Sequence, residues 1–173
     1  GGVPLVLVPT TLLSMIVAWI GGKTGVDTAA GKNLVGAFHP PRLVLIDPLF
    51  LRTLPPAQLR SGIAEAIKHG VILDEKYLVD IEHSVDAILQ LEEAALESLV
   101  ARSVRLKAAV VTEDPYERGR RAILNFGHTV AHALERASGY AMPHGFAVAA
   151  GMVAQGELGE RMGVTAAGTR ARL

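Results

Sequence analysis

The hydrophobic pattern of the chain changes at Pro55-Pro56, and this change constrains the fold more than any other feature. After it, apolar residues recur at three- and four-residue spacing, which is the period of an amphipathic helix. The pattern predicts helices over roughly residues 57–72, 74–90, 92–113, 128–137 and 145–162. We therefore expect residues 55–173 to form an α-helical domain.

The part before Pro55 has features of a parallel sheet. Val3–Val8 and Leu43–Asp47 are short β-rich runs, each followed by a proline. Such runs are typical of buried strands in a parallel sheet covered by helices. Between them, Gly21–Gly25 and Gly31–Asn33 predict a glycine-rich loop, whose two lysines and free backbone amides suit anionic oxygens.

Composition narrows the class of protein. Half of the 173 residues are hydrophobic, which is enough for a real core. Lysine plus arginine equals aspartate plus glutamate at 17 each, so no overall charge favours a nucleic acid or an anionic membrane, and we expect a small-molecule partner. The chain has no cysteine. Any metal must therefore rest on imidazole and carboxylate, and a reducing cytoplasm fits.

The most apolar segment, Leu5–Ile20, does not predict a membrane span. It is interrupted by Pro9 and is shorter than the roughly 20 residues that a bilayer requires. It also lacks the basic start and the cleavage site of a signal peptide. The chain runs from Gly1-Gly2 directly into a strand and stops without a closing element, so we expect an excerpt from a longer protein.

Three histidines are close together in the second part of the chain. His128 and His132 are four residues apart and share one helix face, and His144 stands beside Gly145. A carboxylate such as Glu65 could reach them from another helix. This set predicts the ligands of a catalytic divalent metal, because zinc favours imidazole and carboxylate donors. The other three histidines, which we expect not to be ligands, are His39, His69 and His83.

Several polar residues accompany this set. Glu65 and Lys68 are neighbours on one helix face, and a surface ion pair is the alternative to a functional role. Lys107 interrupts an apolar stripe, which a snorkelling lysine also explains. Arg121 and Asn125 precede His128 and would bring a cation and an amide beside the imidazoles. Their alternative is a capping asparagine and a solvent-exposed arginine.

A series of motifs runs in order over nearly the whole chain: Pro9–Leu13, Gly21–Gly25, Gly31–Phe38, Thr53–Pro55, Ser61–Lys68, Arg121–Thr129 and His144-Gly145. In these motifs the chain resembles the 3-dehydroquinate synthases of the shikimate pathway, which are sugar-phosphate cyclases. The resemblance implies an α/β plus α fold. Residues 1–54 would be the end of a Rossmann-like NAD-binding domain, and residues 55–173 a mainly α-helical domain that binds metal and substrate.

The resemblance also implies roles for individual residues. The ligands of a divalent metal, Zn or Co, would be Glu65, His128 and His144. The NAD contacts would be Thr10, Thr11, Lys23, Lys32, Phe50, Leu51, Arg52 and Thr53. The contacts to a sugar-phosphate substrate would be Lys23, Asn33 and His132 at the phosphate, Lys107 and Arg121 at the carboxylate, and Lys68 and Asn125 elsewhere. Arginine suits a carboxylate and lysine a phosphate oxygen.

The implied reaction converts 3-deoxy-D-arabino-heptulosonate 7-phosphate into 3-dehydroquinate and phosphate. NAD is reduced and re-oxidised within each turnover, so the enzyme is a carbon–oxygen lyase without net redox change. The resemblance further implies a homodimer. It places the glycine-rich segment for the NAD pyrophosphate before Gly1, so we expect the chain by itself to bind metal more readily than NAD.

The chain departs from the family at Val17-Ala18-Trp19, where the family has an aspartate followed by small polar residues. This departure removes an active-site carboxylate and adds a bulky indole. Two other functions therefore stay open. One is an NAD- and metal-dependent polyol or alcohol dehydrogenase of related architecture, which would release NADH. The other is a non-catalytic relative that keeps metal and ligand binding for stability or for contact with a partner.

Overall fold

The structure is a computed structural model that describes residues 2–29 and 31–173, apart from the side chains of residues 27 and 31–34. Helices dominate the second part of the chain. Their bounds are α1 Pro56–Leu73, α2 Glu75–Leu89, α3 Glu93–Glu113, α4 His128–Ala137, α5 His144–Arg161 and α6 Thr169–Arg172. In the described ranges, none of the helices has the length and apolarity needed to cross a membrane.

The five predicted helices are confirmed to within two residues at each end. Local chemistry explains their bounds. Proline at the first position of α1 has a preset φ and lacks only an N–H that would be unpaired there. The α1 helix ends before Asp74, whose side chain accepts a hydrogen bond from the Tyr77 amide at 3.1 Å and so caps α2.

The first part of the chain contains two short parallel strands. β1 (Val6–Leu7) pairs in parallel with β4 (Leu43–Val44), with Val6 opposite Leu43. This confirms the parallel pairing, although the strands are shorter than the apolar runs that predicted them. A 3-10 helix, Pro48–Thr53, then leads into α1, and Asp47 caps it through the Leu49 amide.

The prediction of a glycine-rich loop between these strands is wrong. Residues 23–28 and 31–38 form an antiparallel hairpin, β2 (Lys23–Thr28) and β3 (Gly31–Phe38), with a register shift between Val26 and Thr28. Glycines face each other at Gly25 and Gly36, so they serve close backbone pairing rather than a turn. The side chains of Lys32 and Asn33 lie outside the described residues, so their predicted roles stay predictions.

One hydrophobic core joins the two parts of the chain. Leu12, Met15, Ile16 and Leu51 from the first part are fully buried against side chains of α1, α2 and α3. The first three lie on a short helical segment that includes the π-helix Ser14–Ala18. The predicted domain boundary at residue 54 stays a prediction, and the residues on both sides of it share this core.

A second, smaller core fixes α4 against α5. It contains Ala131, Ala147, Val148 and Met152. At the start of α5, Gly145 lies so close to α1 that a Cβ there would stand 2.0 Å from the carbonyl oxygen of Ser61. The Gly145 amide also donates to the Ser61 hydroxyl at 2.9 Å. This close approach brings His144, the first residue of α5, beside α1.

We predict that Gly145→Ala destabilises the metal-free protein by about 3 kcal/mol, because the added methyl group forces α5 away from the α1 backbone. The matched control is Gly156→Ala in the same helix, where the Cβ would meet only the tip of the Leu173 side chain at 2.8 Å. That variant should be neutral or gain up to about 1 kcal/mol from helix propensity. Urea unfolding of both variants measures the difference, and equal midpoints would refute the close-approach argument.

Candidate metal centre and active site

The site is built around a buried carboxylate. Glu65 on α1 is fully buried, and its Oε2 accepts a hydrogen bond from the Lys68 ammonium at 2.6 Å. Lys68 is itself 3% exposed, so the alternative of a surface ion pair is wrong. The other oxygen, Oε1, has no hydrogen-bond partner among the described residues. A buried neutral polar group without a partner costs on the order of 2–7 kcal/mol, and an ionised carboxylate costs more.

Two imidazoles face this oxygen. The Nε2 atoms of His128 and His144 lie 3.5 and 3.6 Å from Glu65 Oε1, which is longer than a hydrogen bond. The three candidate ligand atoms all lie within 4.8 Å of one another. One carboxylate oxygen and two imidazole nitrogens in this arrangement fit a divalent cation, and three protein ligands leave coordination positions open.

The outer nitrogens of both rings fix the orientation of the rings. His128 Nδ1 is 3.1 Å from the carbonyl oxygen of Phe126, and His144 Nδ1 is 3.3 Å from Oε1 of Glu135. Both partners are acceptors, so each Nδ1 must carry a proton. In the neutral rings the Nε2 lone pairs then point at the space in front of Glu65. The local structure therefore supplies both imidazoles in the tautomer that binds metal.

The charges of the site shift its pKa values in opposite directions. Burial alone would raise the pKa of Glu65, but the facing imidazole of His144 and the Lys68 ammonium outweigh it and lower that pKa. Burial lowers the pKa of His128. The Glu65 carboxylate raises the pKa of His144 against the opposing effect of burial. In the absence of a metal, a proton is therefore held at His144 more strongly than at His128.

Lys107 on α3 points its amine into the protein. It is 9% exposed and its Nζ donates to the carbonyl oxygen of Val17 at 2.6 Å, so the snorkelling alternative is wrong. Burial, together with the nearby charges of Lys68 and Arg121, lowers the pKa of Lys107 to about 7. Its partner is thus a neutral backbone carbonyl, and the Val17 side chain packs on the main core.

Arg121 is buried rather than solvent-exposed. It lies in the 3-10 helix Arg120–Asn125, is 3% exposed, and donates from Nη1 to the carbonyl oxygen of Pro115 at 2.6 Å. Asp114 organises the preceding turn, because its carboxylate accepts hydrogen bonds from the amides of residues 118, 119 and 121. These bonds lower the pKa of Asp114. The arginine is thus held in place by its own loop.

Glu117 is a residue of the site that the sequence pattern did not reveal. Its carboxylate pairs with Lys23 of β2 and accepts a hydrogen bond from the Asn125 amide nitrogen at 2.8 Å. Its backbone has a φ of +56°, a value that non-glycine residues rarely adopt. The Asn125 side chain bonds to this carboxylate, so the alternative of a capping asparagine is not what the structure shows. One carboxylate therefore joins two of the predicted substrate contacts.

The remaining histidines lie outside the ligand set. His132 is exposed, with its ring 5.7 Å from that of His128 and edge-on to it. Among the described residues, the metal-type cluster contains Glu65, His128 and His144, and neither His39, His69 nor His83. His69 is nevertheless fully buried, and both of its ring nitrogens lack a hydrogen-bond partner in the described part of the chain. Burial lowers its pKa to about 3, so the ring is neutral.

The predicted NAD contacts fall in two places. Thr11 exchanges hydrogen bonds with Ser14 and starts the helical segment, while Thr10 is exposed. On the 3-10 helix Pro48–Thr53 the predicted contacts are split, because Leu51 is buried in the core and the other three side chains are exposed.

A cavity of about 420 Å³ lies beside Lys23 and Trp19. The indole nitrogen of Trp19 donates to the carbonyl oxygen of Met15 at 2.7 Å.

Solved structures share this fold. A 2-epi-5-epi-valiolone synthase from Streptomyces hygroscopicus, with NAD+ and Zn2+ bound, matches 98% of the chain with a TM-score of 0.89 and 32% identity. A 2-deoxy-scyllo-inosose synthase, complexed with carbaglucose-6-phosphate, NAD+ and Co2+, matches 99% with a TM-score of 0.88 and 32% identity. The chain covers 48% and 47% of those chains. The fold and the candidate metal ligands therefore place the chain in the class of the sugar-phosphate cyclases.

Sequence comparison identifies the family within this class. Residues 1–61 match the family model described as 3-dehydroquinate synthase N-terminal, and residues 62–173 match 3-dehydroquinate synthase C-terminal. The curated 3-dehydroquinate synthases of Symbiobacterium thermophilum and Microcystis aeruginosa are 54% and 49% identical over 96% and 99% of the chain. The chain belongs to the 3-dehydroquinate synthase family, which confirms the resemblance. It spans about half the length of these relatives, 47% and 48%.

We predict that the affinity of the protein for Zn2+ falls as the pH is lowered, because a proton must leave His144 before the imidazole can bind metal. The raised pKa of His144 sets the sign: below it the metal competes with a tightly held proton, and above it the competition ends. Zinc affinity measured against a chelating dye between about pH 5.5 and 8.5, around the ordinary histidine pKa, tests this. His83→Gln, on the exposed face of α2, is the control and should change nothing. An affinity independent of pH would contradict the assignment.

Proposed function

We propose that the protein is a 3-dehydroquinate synthase, which converts 3-deoxy-D-arabino-heptulosonate 7-phosphate into 3-dehydroquinate and phosphate with NAD and a divalent metal, Zn2+ or Co2+. The observation that carries the proposal is the convergence of Glu65 Oε1 with Nε2 of His128 and His144 within 4.8 Å. Identity of 54% to a curated 3-dehydroquinate synthase, against 32% to the valiolone and inosose synthases, supports this substrate over theirs.

The residues at the centre fit a divalent metal. Glu65 Oε1 is a buried oxygen without a hydrogen-bond partner in the described part of the protein, and a cation there would satisfy it. The fixed tautomers of His128 and His144 present nitrogen lone pairs to the same point. When bound, the metal would supply Lewis acidity toward a substrate oxygen. Lys68 balances the charge of Glu65 and holds its second oxygen, so that Oε1 stays directed at the imidazoles.

A cationic cluster beside the centre suits the two anionic groups of the substrate. The pKa of Lys107 is lowered first by burial and also by the charges of Lys68, Arg121 and Lys23, which shows that these groups lie within electrostatic range of one another. Repulsion within such a cluster is relieved when an anion enters it. In our proposal Lys107 and Arg121 hold the carboxylate, and a proton is drawn onto the Lys107 amine as the substrate binds.

Lys23, which would contact the substrate phosphate, already has an anionic partner in this structure. Lys23 and Asn125 are both held by the Glu117 carboxylate in this structure. For Lys23 to contact the substrate phosphate, the phosphate would either join Glu117 at the ammonium, which has three donors, or displace it. In the proposal, His132, which is exposed one turn from His128, contacts the same phosphate. Asn33 completes the predicted set, although its side chain lies outside the described residues.

The other parts of the proposal come from the resemblance and from the relatives. Residues 1–54 would be the end of a Rossmann-like domain, with NAD along Thr10, Thr11, Lys23, Lys32 and residues 50–53, of which Leu51 could contribute only its backbone because its side chain is buried. The helical domain, residues 55–173, would carry the metal and substrate. A homodimer and a cytoplasmic location stay predictions.

Two competing functions follow from other observations. A dehydrogenase of related architecture would use the same cofactors but release NADH. A non-catalytic relative is favoured by Val17 and Trp19, because the carboxylate expected from the resemblance is absent there and the indole lines the cavity beside Lys23. The cyclase is the better-supported function, since the predicted metal ligands, Lys68, Lys107 and Arg121 are all present around the centre.

The test is phosphate release by the complete gene product from 3-deoxy-D-arabino-heptulosonate 7-phosphate, with NAD and Zn2+ added and the NADH absorbance followed in parallel. We expect phosphate without net NADH. We expect Glu65→Gln to lose at least about a hundredfold in rate, since removal of a charge-stabilising group costs that much. The control is Glu157→Gln, at an exposed ion pair on α5.

Each other outcome selects a different function. Stoichiometric NADH would identify a dehydrogenase. Bound zinc without phosphate release would point to a cyclase of another sugar phosphate or to a non-catalytic relative, and assays with other sugar phosphates would separate the two.

A further inference from the structure

A second carboxylate, that of Glu135, contacts the cluster of Glu65, His128 and His144 without being one of its candidate ligands. Glu135 on α4 is 5% exposed, and its Oε1 lies 3.3 Å from Nδ1 of His144, on the side of the ring opposite to Glu65. The Glu135 carboxylate, the His144 imidazole and the candidate metal position therefore lie in this order. Carboxylates in this place fix the tautomer of the ligand and raise its basicity.

The two histidines of the centre are held differently. The Nδ1 partner of His128 is the carbonyl oxygen of Phe126, two residues away on its own chain segment. That bond comes with the local backbone and does not depend on a side chain. The Nδ1 partner of His144 is a charged side chain from another helix. The orientation of His144 therefore depends on one replaceable group.

The helices hold this group rigidly. Glu135 is seven residues after His128, which is two turns along α4, so one helix supplies both a ligand and a contact to another ligand. The α4 and α5 helices pack through Ala131, Ala147 and Val148, which are completely buried. Because these side chains are small and tightly packed, the carboxylate and the His144 ring have little freedom to separate.

Charge adds to this argument. Glu65 and Lys68 form a buried pair whose charges cancel, so a divalent ion at the centre would bring uncompensated positive charge into a poorly solvated place. The Glu135 carboxylate offers negative charge one imidazole away. It would stabilise the bound cation while leaving the coordination positions in front of Glu65 open.

We infer that Glu135 is a positioning residue for the metal, which fixes His144 with Nε2 toward the ion and raises the affinity of the site for a divalent cation. This inference rests on the proposed metal centre. It goes beyond the predicted site residues, none of which is Glu135.

The test is the affinity of the complete gene product for Zn2+ and Co2+ at one fixed pH, measured against a chelating dye. Glu135→Gln keeps the size and an acceptor oxygen but loses the charge, and Glu135→Ala loses both. We expect affinities about tenfold weaker for glutamine and up to about a hundredfold weaker for alanine, in line with such outer contacts. The visible spectrum of bound Co2+ should also change. The matched control is Glu157→Gln, which should bind like the wild type.

A purely structural role is separated by the metal-free proteins. If Glu135 only supports the fold, Glu135→Gln lowers the urea midpoint of the metal-free protein and leaves the affinity and the Co2+ spectrum of the folded fraction unchanged, which overturns the inference. Equal affinity and equal stability in both variants overturn it as well.

The proposed metal centre has its own control. If the wild type binds neither metal and behaves like His128→Ala, the metal centre itself is wrong, and the role of Glu135 falls with it. If the wild type binds metal and His128→Ala does not, the centre stands, and the Glu135 variants decide the inference alone.

Discussion

The site depends on one buried carboxylate. Glu65 has a lysine on one oxygen and no hydrogen-bond partner among the described residues on the other, where two imidazoles stand 3.5 and 3.6 Å away. Burial of such a group is unfavourable unless a cation completes its environment. The surrounding structure maintains the arrangement: α1 carries the ion pair, the contact of Gly145 with α1 brings His144 near, and the tight packing of α4 on α5 aligns both rings.

Charged side chains surround this centre. Lys107 and Arg121 are both buried, and the pKa of Lys107 is lowered to about 7 by burial and by its cationic neighbours. The Glu135 carboxylate lies against the outer nitrogen of His144. Buried cations and a buried carboxylate therefore both lie close to the candidate ligands. Glu117, in the loop before α4, forms an ion pair with Lys23 and accepts a hydrogen bond from Asn125. It therefore joins two of the predicted substrate contacts in this structure.

Much of this was predictable from the sequence, and the exceptions have physical reasons. Periodicity gave the helices, since it is a local property. The four-residue spacing paired His128 with His132, whereas the structure brings His128 and His144 to Glu65, which depends on the packing of α5 against α1. Burial of Lys68 and Arg121 depends on long-range packing, so local spacing left an exposed position open as the alternative for each. The glycine-rich segment was predicted as a loop because glycines suit turns. Gly21 and Gly22 do have a positive φ before β2, whereas Gly25 lies in β2 opposite Gly36 of β3. Glu117 reaches the site through an unusual positive φ, which has no sequence signal. Glu135 did have one: it follows His128 by two helical turns.

The central claim is that two imidazoles and one carboxylate bind a single divalent ion. X-ray absorption at the zinc edge of the protein loaded with one equivalent of Zn2+ tests it most directly. The account predicts two histidine nitrogens at about 2.0–2.1 Å and oxygen donors at about 2.0–2.2 Å completing the shell. A shell of oxygen donors without histidine, or one with three or more histidines, would contradict it.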